Sequence, residues 1–486
     1  MEDKPSIRKN FAFSTLYQII LILVSFISAS YLSRVLGADM IGIQSYTESI
    51  QAYFLLFATL GTSTYGAREI TQHRNNIYIR SKLFWEIELM TVITSFIVLI
   101  LWLIFIAVSS RYQLYYIAMI PHIIASMFDI SWFFRGLEKF NITATYSSAF
   151  LILEFILIIL FVRRKTDLLY YIIILSVIKL LTSISLWKHL KKYIVKIELK
   201  EISIKKHFRQ TLIYFIPTIA TSIYTIFDRT LIGFFAQDFT QNGYYIQAEK
   251  ILVIAKNVSY ASINLVVGVR ISFLFVEEKF NEIKERIRES INYILFMGVG
   301  CACGIVTIAH NFVLLFLGNE FLEVEFLLYV LSPIVVIIGI SNCLETHYYT
   351  PSGKKIQSTR YLIIGSCFNL LLNLVFIPKF YAFGAAIASV SAELLIAFLL
   401  IIKCDRYLSL KCLILDAWKK IVSGILMIII VCPIGFFYIN INKMLLVLIQ
   451  IIFGICIYLI ALFLLDDSWV KAKIYIVISI LNKSKK

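Results

Sequence analysis

The 486-residue chain contains no H-E-x-x-H pair and no G-K-[ST] loop, so neither a helical zinc-hydrolase site nor a phosphate-cradling nucleotide site can be assembled from it. Its six histidines (His73, His122, His189, His207, His310 and His347) are scattered and mark no metal site. The eight cysteines fall in apolar runs or basic connecting segments, and Cys301 with Cys303 lacks zinc-ligand spacing. Neither a disulfide framework nor a cysteine-bound metal is implied. The roughly ten-residue alternating segments of a membrane barrel are also missing, which excludes that architecture.

What the chain has instead is apolar sequence. Sixty per cent of its residues are hydrophobic and its mean hydropathy is +0.84, well beyond the roughly half-apolar composition of soluble domains. A bilayer-spanning helix needs about 20 mostly apolar residues. Such runs recur from end to end, and within lipid each backbone N–H and C=O must find a partner inside its own segment. The expectation is an all-α integral membrane protein of fourteen spans, near 11–33, 41–65, 83–108, 112–134, 143–162, 169–187, 211–236, 244–275, 290–317, 321–348, 359–378, 381–402, 419–439 and 443–465. The first run follows Lys4, Arg8 and Lys9, exceeds a signal-peptide core and lacks an A-x-A site, so it reads as an uncleaved span.

The net charge of +16 is dispersed among short connections, which argues for topology and against nucleic acid. With the N-terminus inside, 34 of the 46 basic residues fall in inner segments and seven in outer loops, and basic loops stay cytoplasmic. Both termini are therefore expected in the cytoplasm, with Arg163-Arg164-Lys165 the one dissenting outer cluster. Three inner segments mix lysine with apolar residues, Trp187 to Arg209, Phe280 to Ile287 and Trp469 to Leu481. They fit either an interfacial placement or ordinary inner loops.

The outer loops are too short to house the carboxylates or histidines of a glycan polymerase or transferase. Ionisable residues nevertheless lie within or beside spans: Asp129, Glu154, Lys179, Asp228, Arg229, Glu249, Lys250, Lys256, Arg270, Glu345 and Glu393. A charge at mid-bilayer costs about 2.5–3.5 kcal/mol even on lenient scales. These side chains are therefore expected to face protein or a water-filled cavity. Glu249 and Lys256, seven apart, share a helix face. Lys179 with Glu154, and Asp228 with Arg229, are equally readable as structural pairs. Pro121, Pro217, Pro333 and Pro433 fall in spans as candidate kinks. A weak internal echo joins Arg34, Gly42, Glu48 and Ile50 to Arg229, Gly243, Glu249 and Ile251, as in transporters built from paired halves.

Several motifs stand out: Tyr31-Leu-Ser-Arg34-Val-Leu-Gly37-Ala-Asp39 with Gly42, then Gly61-Thr-x-x-Tyr65-Gly66-x-Arg68-Glu69-Ile70, and Asp129-x-Ser131-Trp132-Phe133-Phe134-Arg135-Gly136-Leu137-Glu138-Lys139-Phe140. To these are added Asp228-Arg229-x-x-Ile232-Gly233, Gly243-Tyr244-Tyr245-x-x-Ala248-Glu249-Lys250-Ile251 and Pro351-x-Gly353-Lys354. Together they are similar to those of bacterial polysaccharide repeat-unit flippases of the Wzx type. The resemblance covers nearly the whole chain, the last two spans by hydropathy alone.

It implies membership of the multidrug/oligosaccharidyl-lipid/polysaccharide exporter superfamily, with two six-helix lobes around a central cavity and two added C-terminal helices. The corresponding divisions are 1–205, 206–402 and 403–486. The implied activity, in a bacterial plasma membrane, moves undecaprenyl-diphosphate-linked oligosaccharide between leaflets by alternating access without ATP. No cofactor is implied beyond H+ or Na+ as a coupling ion. A polysaccharide polymerase and chain-length regulators are the implied protein partners, beside membrane lipids. On this resemblance Arg34, Arg229, Lys256 and Arg270 are the candidates for diphosphate or acidic sugar, since guanidinium pairs bidentately with phosphate oxygens. Asp228, Glu249 and Glu393 are candidates for ion coupling or charge pairing, and Asp129, Trp132, Gly136 and Glu138 carry the family signature. Competing readings are a drug/cation antiporter of the same superfamily, a membrane-embedded glycan polymerase or transferase, and a scaffold of a polysaccharide assembly complex.

Overall fold

The computed structural model describes residues 7–236, 238–404, 407–437, 442–473 and 475. Lys4, Arg406 and the lysines beyond Tyr475 lie outside them, as does most of the third mixed segment. All regular structure among the described residues is helical. In chain order the helices are α1 Ile7–Thr59, α2 Thr62–His73, α3 Ile77–Val108, α4 Gln113–Ala118, α5 Ile120–Met127, α6 Ser131–Gly136, α7 Phe140–Phe161, α8 Leu168–Leu190 and α9 Lys205–Phe235. They continue as α10 Thr240–Lys256, α11 Ser262–Val276, α12 Phe280–Phe316, α13 Glu323–Leu331, α14 Ile334–Leu344, α15 Lys355–Ile402, α16 Leu410–Val431, α17 Ile434–Phe437 and α18 Lys443–Leu464.

Nine stretches of described helix have the length and hydropathy to cross a bilayer. Two of them are broken midway, one at Gly37 (φ 76°) and one at Tyr381 (φ 47°). The Gly37 break sits between two expected spans and the Tyr381 break at the first residue of another, and at Gly37 the absent side chain is what admits the left-handed backbone. Helices α9, α10 with α11, and α16 fall where the seventh, eighth and thirteenth spans were expected. The architecture is thus a multi-pass helical membrane protein, compatible with fourteen crossings. Three of the four candidate kink prolines stand at segment boundaries, Pro121 opening α5, Pro333 preceding α14 and Pro433 separating α16 from α17, whereas Pro217 falls within α9. Each of those three can sit at its boundary because a first-turn N–H has no helical partner to lose.

The chain divides into two compact units, Met1–Gly243 and Tyr244–Lys486. In the first, the signature motif is a packing knot. Asp129 Oδ1 accepts the Ser131 backbone N–H at 3.0 Å, and Trp132 lies buried among Phe84, Phe133 and Ile70. A Cβ at Gly66 would stand 2.5 Å from the Trp132 ring, and one at Gly136 would stand 2.7 Å from the Ala67 carbonyl oxygen. Glu138 pairs with Arg74 at 2.8 Å. The spacing of the motif therefore records how α2, α3 and α6 close against one another.

The segment after α8 is no interfacial helix. It runs irregularly along the first unit, where Arg80 Nε donates to the Tyr193 carbonyl at 3.0 Å and the Val195 N–H donates to Ser81 Oγ at 2.9 Å. Its end is fixed by the fully buried Glu86, which accepts from the Ser203 N–H, Lys206 Nζ and His207 Nε2, each at 2.8 Å. The Tyr65 hydroxyl completes the arrangement by donating to His207 Nδ1 at 2.7 Å. Both ring nitrogens are thus served by one neutral tautomer.

Burial pulls the His207 imidazole below its ordinary value, and the Glu86 carboxylate pulls it partly back. A base whose folded value is lowered binds fewer protons than in the unfolded chain. The strap should therefore hold above the ordinary imidazole value of about 6.5 and loosen as pH falls below it. The protection of the Ser203 to His207 amides, exchange measured relative to its intrinsic rate, is expected to fall as pH drops from about 7.5 to about 5.5, and Tyr65→Phe should weaken this dependence by removing the donor that protonation displaces.

In the second unit α12 is the central pillar, packed by α11, α13, α14, α16 and α18. Its apolar face joins Ile283, Ile287, Ile291 and Ile294 to Tyr348, Tyr349 and Leu400. The i, i+4 spacing of those isoleucines places them on one stripe, so Phe280 to Ile287 is the packed first turns of α12 and not a surface amphipath. A charged cluster closes one end of this unit. Lys420, 1% exposed, donates to Asp467 Oδ2 and Asn292 Oδ1, both at 3.0 Å, while Arg288 makes two bonds to Asp416 at 2.9 and 3.0 Å.

Candidate functional site

A charged side chain exposed halfway along an apolar helix must meet water or protein, because lipid offers it no partner. Glu48 and Lys179 are both exposed in this way. Their exposure is into a cavity of about 290 Å3 inside the first unit, whose wall also carries Tyr17, Gln44, Gln51, His122, Ser147, Glu154, Ser176 and Thr182. Four helical stretches supply it, α1, the α4–α5 junction, α7 and α8. A second cavity of about 280 Å3, lined by Thr59, Ser126, Asp129 and Ser183, shares His122 and Lys179 with the first. Polar wall therefore runs from Glu48 and Glu154 past His122 and Lys179 to Asp129.

The reason these groups converge is helical periodicity. Gln44, Glu48 and Gln51 lie at i, i+4 and i+7 on one face of α1. Gln44 Nε2 donates to Glu48 Oε2 and Gln51 Nε2 to the Met119 carbonyl oxygen, each at 2.8 Å. The second bond fixes the α4–α5 junction beside α1 and aims His122 into the space. Among the described residues no hydrogen bond or ion pair occupies the Glu154 carboxylate, the Lys179 ammonium or the His122 imidazole. Glu154 and Lys179, expected as possible partners, face the same cavity without forming a direct pair.

The cationic candidates are divided between the units. Arg34, exposed, stands one turn before the Gly37 break in α1, and Arg229 lies near the end of α9 with its carbonyl oxygen accepting from Asn242 Nδ2 at 2.8 Å. Asp228 beside it is buried. In the second unit Lys256 ends α10, just before the π-helical turn Asn257–Ala261, and the carboxylates that act on it electrostatically are Glu249 and Glu393. Three of the predicted residues, from α10 and α15, thus share one electrostatic neighbourhood. Arg270 is apart from them on α11, exposed, its guanidinium 5.7 Å from the Phe273 ring centre. Glu345, on the π-helical turn Glu345–Tyr349, pairs with Lys355 at 3.2 Å.

Sequence reading passed over several of the groups that matter here. Glu48 figured only in the internal echo, His122 only as a scattered histidine, and Glu86 and Glu88 not at all. Glu88 is 1% exposed and neither of its carboxylate oxygens has a hydrogen-bond partner among the described residues. The available signal was the shared face of Gln44, Glu48 and Gln51. Proximity of His122 to Lys179 needs the fold. Among the described residues no group of three or more His, Cys, Asp or Glu is arranged to hold a metal ion.

Comparison with known proteins agrees with this geometry. The chain is 22% identical over 411 residues to the Escherichia coli (strain K12) protein named "Putative O-antigen transporter", covering 82% of this chain and 97% of that one. A protein of the same name from Shigella dysenteriae is 24% identical over 382 residues, 77% and 94% of the respective chains. Among solved structures, the lipid II flippase MurJ in an inward closed conformation superposes with a TM-score of 0.65 at 17% identity, over 93% of this chain and 97% of that one. An inward-facing multidrug resistance MATE transporter of the MOP superfamily gives 0.60 at 12% identity, over 77% and 92%. These two establish a shared fold. Residues 7–268 match the family described as polysaccharide biosynthesis protein, and the chain belongs to that family.

Proposed function

We propose that the protein is a transporter, not an enzyme, that moves an undecaprenyl-diphosphate-linked oligosaccharide from the inner to the outer leaflet of a bacterial plasma membrane for surface polysaccharide assembly. The observation carrying this reading is the polar cavity within membrane-spanning helices of a chain that belongs to a polysaccharide biosynthesis family. A two-unit helical fold shared with a lipid II flippase supports it. A polar head group needs such a lining to pass the apolar interior, whereas its lipid tail can stay in the bilayer.

On this reading both termini are cytoplasmic, as the basic-residue asymmetry favours. The six-plus-six-plus-two organisation with divisions near 205 and 402 remains our assignment of lobes. Arg34, Arg229, Lys256 and Arg270 engage the diphosphate or acidic groups. H+ or Na+ biases the two access states through Asp228, Glu249 or Glu393, since a ligand shifts an equilibrium only by its differential affinity for the two states. The grouping of Lys256 with Glu249 and Glu393 supports that division of labour, because a cation shared between substrate anion and carboxylate links the two. Polymerase and chain-length regulators are the expected protein partners.

Deleting the gene in a strain without a redundant flippase is expected to abolish surface polysaccharide and leave the lipid-linked unit on the cytoplasmic face. Normal export in that strain would refute the proposal. Arg229→Ala, at unchanged membrane abundance, should lower the export rate at least tenfold, corresponding to about 1.4 kcal/mol of lost interaction. Loss of the protein from the membrane would instead assign Arg229 a structural part.

A further inference from the structure

We infer that the cavity formed by α1, α5, α7 and α8 is a sugar subsite that takes one uncharged sugar ring of the transported saccharide, N-acylated amino sugars included, and disfavours uronic acids. The inference rests on the proposed transport of a lipid-linked oligosaccharide. Its volume, about 290 Å3, lies at the small end of ligand sites, which start near 300 Å3. That suits one ring and not a whole repeat unit.

The lining excludes the other occupants such a carrier handles. A coupling metal cation is held by a shell of oxygen ligands, but here the Lys179 ammonium and the His122 imidazole interrupt the carboxylates of Glu48 and Glu154, and among the described residues no three His, Cys, Asp or Glu are arranged around a metal ion. A diphosphate or a uronate meets two carboxylates against that one ammonium. What remains is an uncharged group needing donors and acceptors side by side. A sugar hydroxyl both donates and accepts, and the wall offers acceptor-only carboxylates, a donor-only ammonium and an imidazole that does either. Glu154, Lys179 and His122 make no hydrogen bond or direct ion pair among the described residues, and polar groups left without hydrogen bonds gain most from a ligand that satisfies them. Leu151 and the Tyr17 ring, on the same wall, give the C–H face of a pyranose an apolar surface.

The test uses the saccharide that the protein itself would carry, released by mild acid from the lipid-linked intermediate accumulated in the deletion strain. Full-length protein in nanodiscs is examined by saturation-transfer NMR with this saccharide as probe. The expected result is transfer concentrated on one uncharged ring and reduced at least tenfold in both Glu154→Gln and Ser147→Leu, the second filling the cavity without altering charge. Both variants should also fail to restore surface polysaccharide at every external pH while reaching wild-type membrane abundance and thermal stability. Transfer unchanged in both variants, or confined to a uronic acid ring, overturns the subsite while the transport reading stands. An export defect in Glu154→Gln that merely shifts with external pH, with Ser147→Leu exporting normally, also overturns it and makes the cavity a proton site. If no intermediate accumulates and export is normal in the deletion strain, the transport reading falls and the subsite with it.

Discussion

Replacing Lys420 by alanine is expected to cost about 3–5 kcal/mol, because it strands the Asp467 carboxylate in a site only 4% exposed. Lys420 gathers three helical regions at one point. Asn292 belongs to α12, Asp416 lies one turn earlier on α16, and Asp467 follows α18. Losing the ammonium leaves the Asn292 and Asp467 oxygens without their shared donor and should free the α16–α18 pair from the pillar. Detergent-solubilised Lys420→Ala protein should melt well below wild type and give a much smaller monodisperse fraction. The double change Lys420→Met with Asp467→Leu should recover most of the loss, since a buried ion pair replaced whole by apolar groups is often neutral or stabilising. If the single variant melts like wild type, the cluster is solvated and structurally idle.

Gly42→Leu is expected to be the other damaging change. A Cβ at Gly42 would collide with the Phe239 carbonyl oxygen, and one at Gly243 with the Ala38 carbonyl oxygen. These are reciprocal contacts, each glycine meeting the carbonyl four residues before the other. Backbone cannot yield as a side-chain tip does, so the helices must separate. Even modest overpacking costs roughly 1–3 kcal/mol, and this displacement exceeds it. The Thr230 hydroxyl, which donates to Ser49 Oγ at 2.9 Å, would lose that bond on the same surface. Membrane abundance of Gly42→Leu should fall at least fivefold, with Gly243→Leu matching it. Abundance near wild type for both would mean that the close approach is dispensable.

That crossing also shows what an internal echo in sequence is worth. Gly42 and Gly243 were paired by spacing alone, on evidence that chance supplies often. The structure places Gly42 and Gly243 at one close crossing, which gives that pair a physical cause: two helix starts that approach closely each need a residue without a side chain. The Asp129-to-Phe140 signature underwent a similar change of meaning. Legible as a family mark, it is held in place by ring packing, by the Asp129 carboxylate on the Ser131 N–H and by missing Cβ atoms, and Asp129 also reaches a cavity wall. The Trp187 to Arg209 segment went the other way. Its mixture of lysine and isoleucine resembled a surface helix, yet Glu86, unremarked in sequence, holds it as an irregular strap.

The sequence by itself determined that this protein is helical and crosses the membrane many times, and its motifs carried the resemblance to a polysaccharide family. The first two properties follow from local composition, because lipid forces each apolar run to satisfy its own backbone. Only the tertiary structure decided which intramembrane charges meet. Lys256 with Glu249 and Glu393 drew on two helices far apart in sequence, and Glu48, His122, Glu154 and Lys179 drew on four. Whether a mid-span charge is paired, capped or left open to a cavity depends on the rotation and break of each helix. The breaks at Gly37 and before Pro121 set those for α1 and α5, and no pattern within a single span encodes the neighbour it will face.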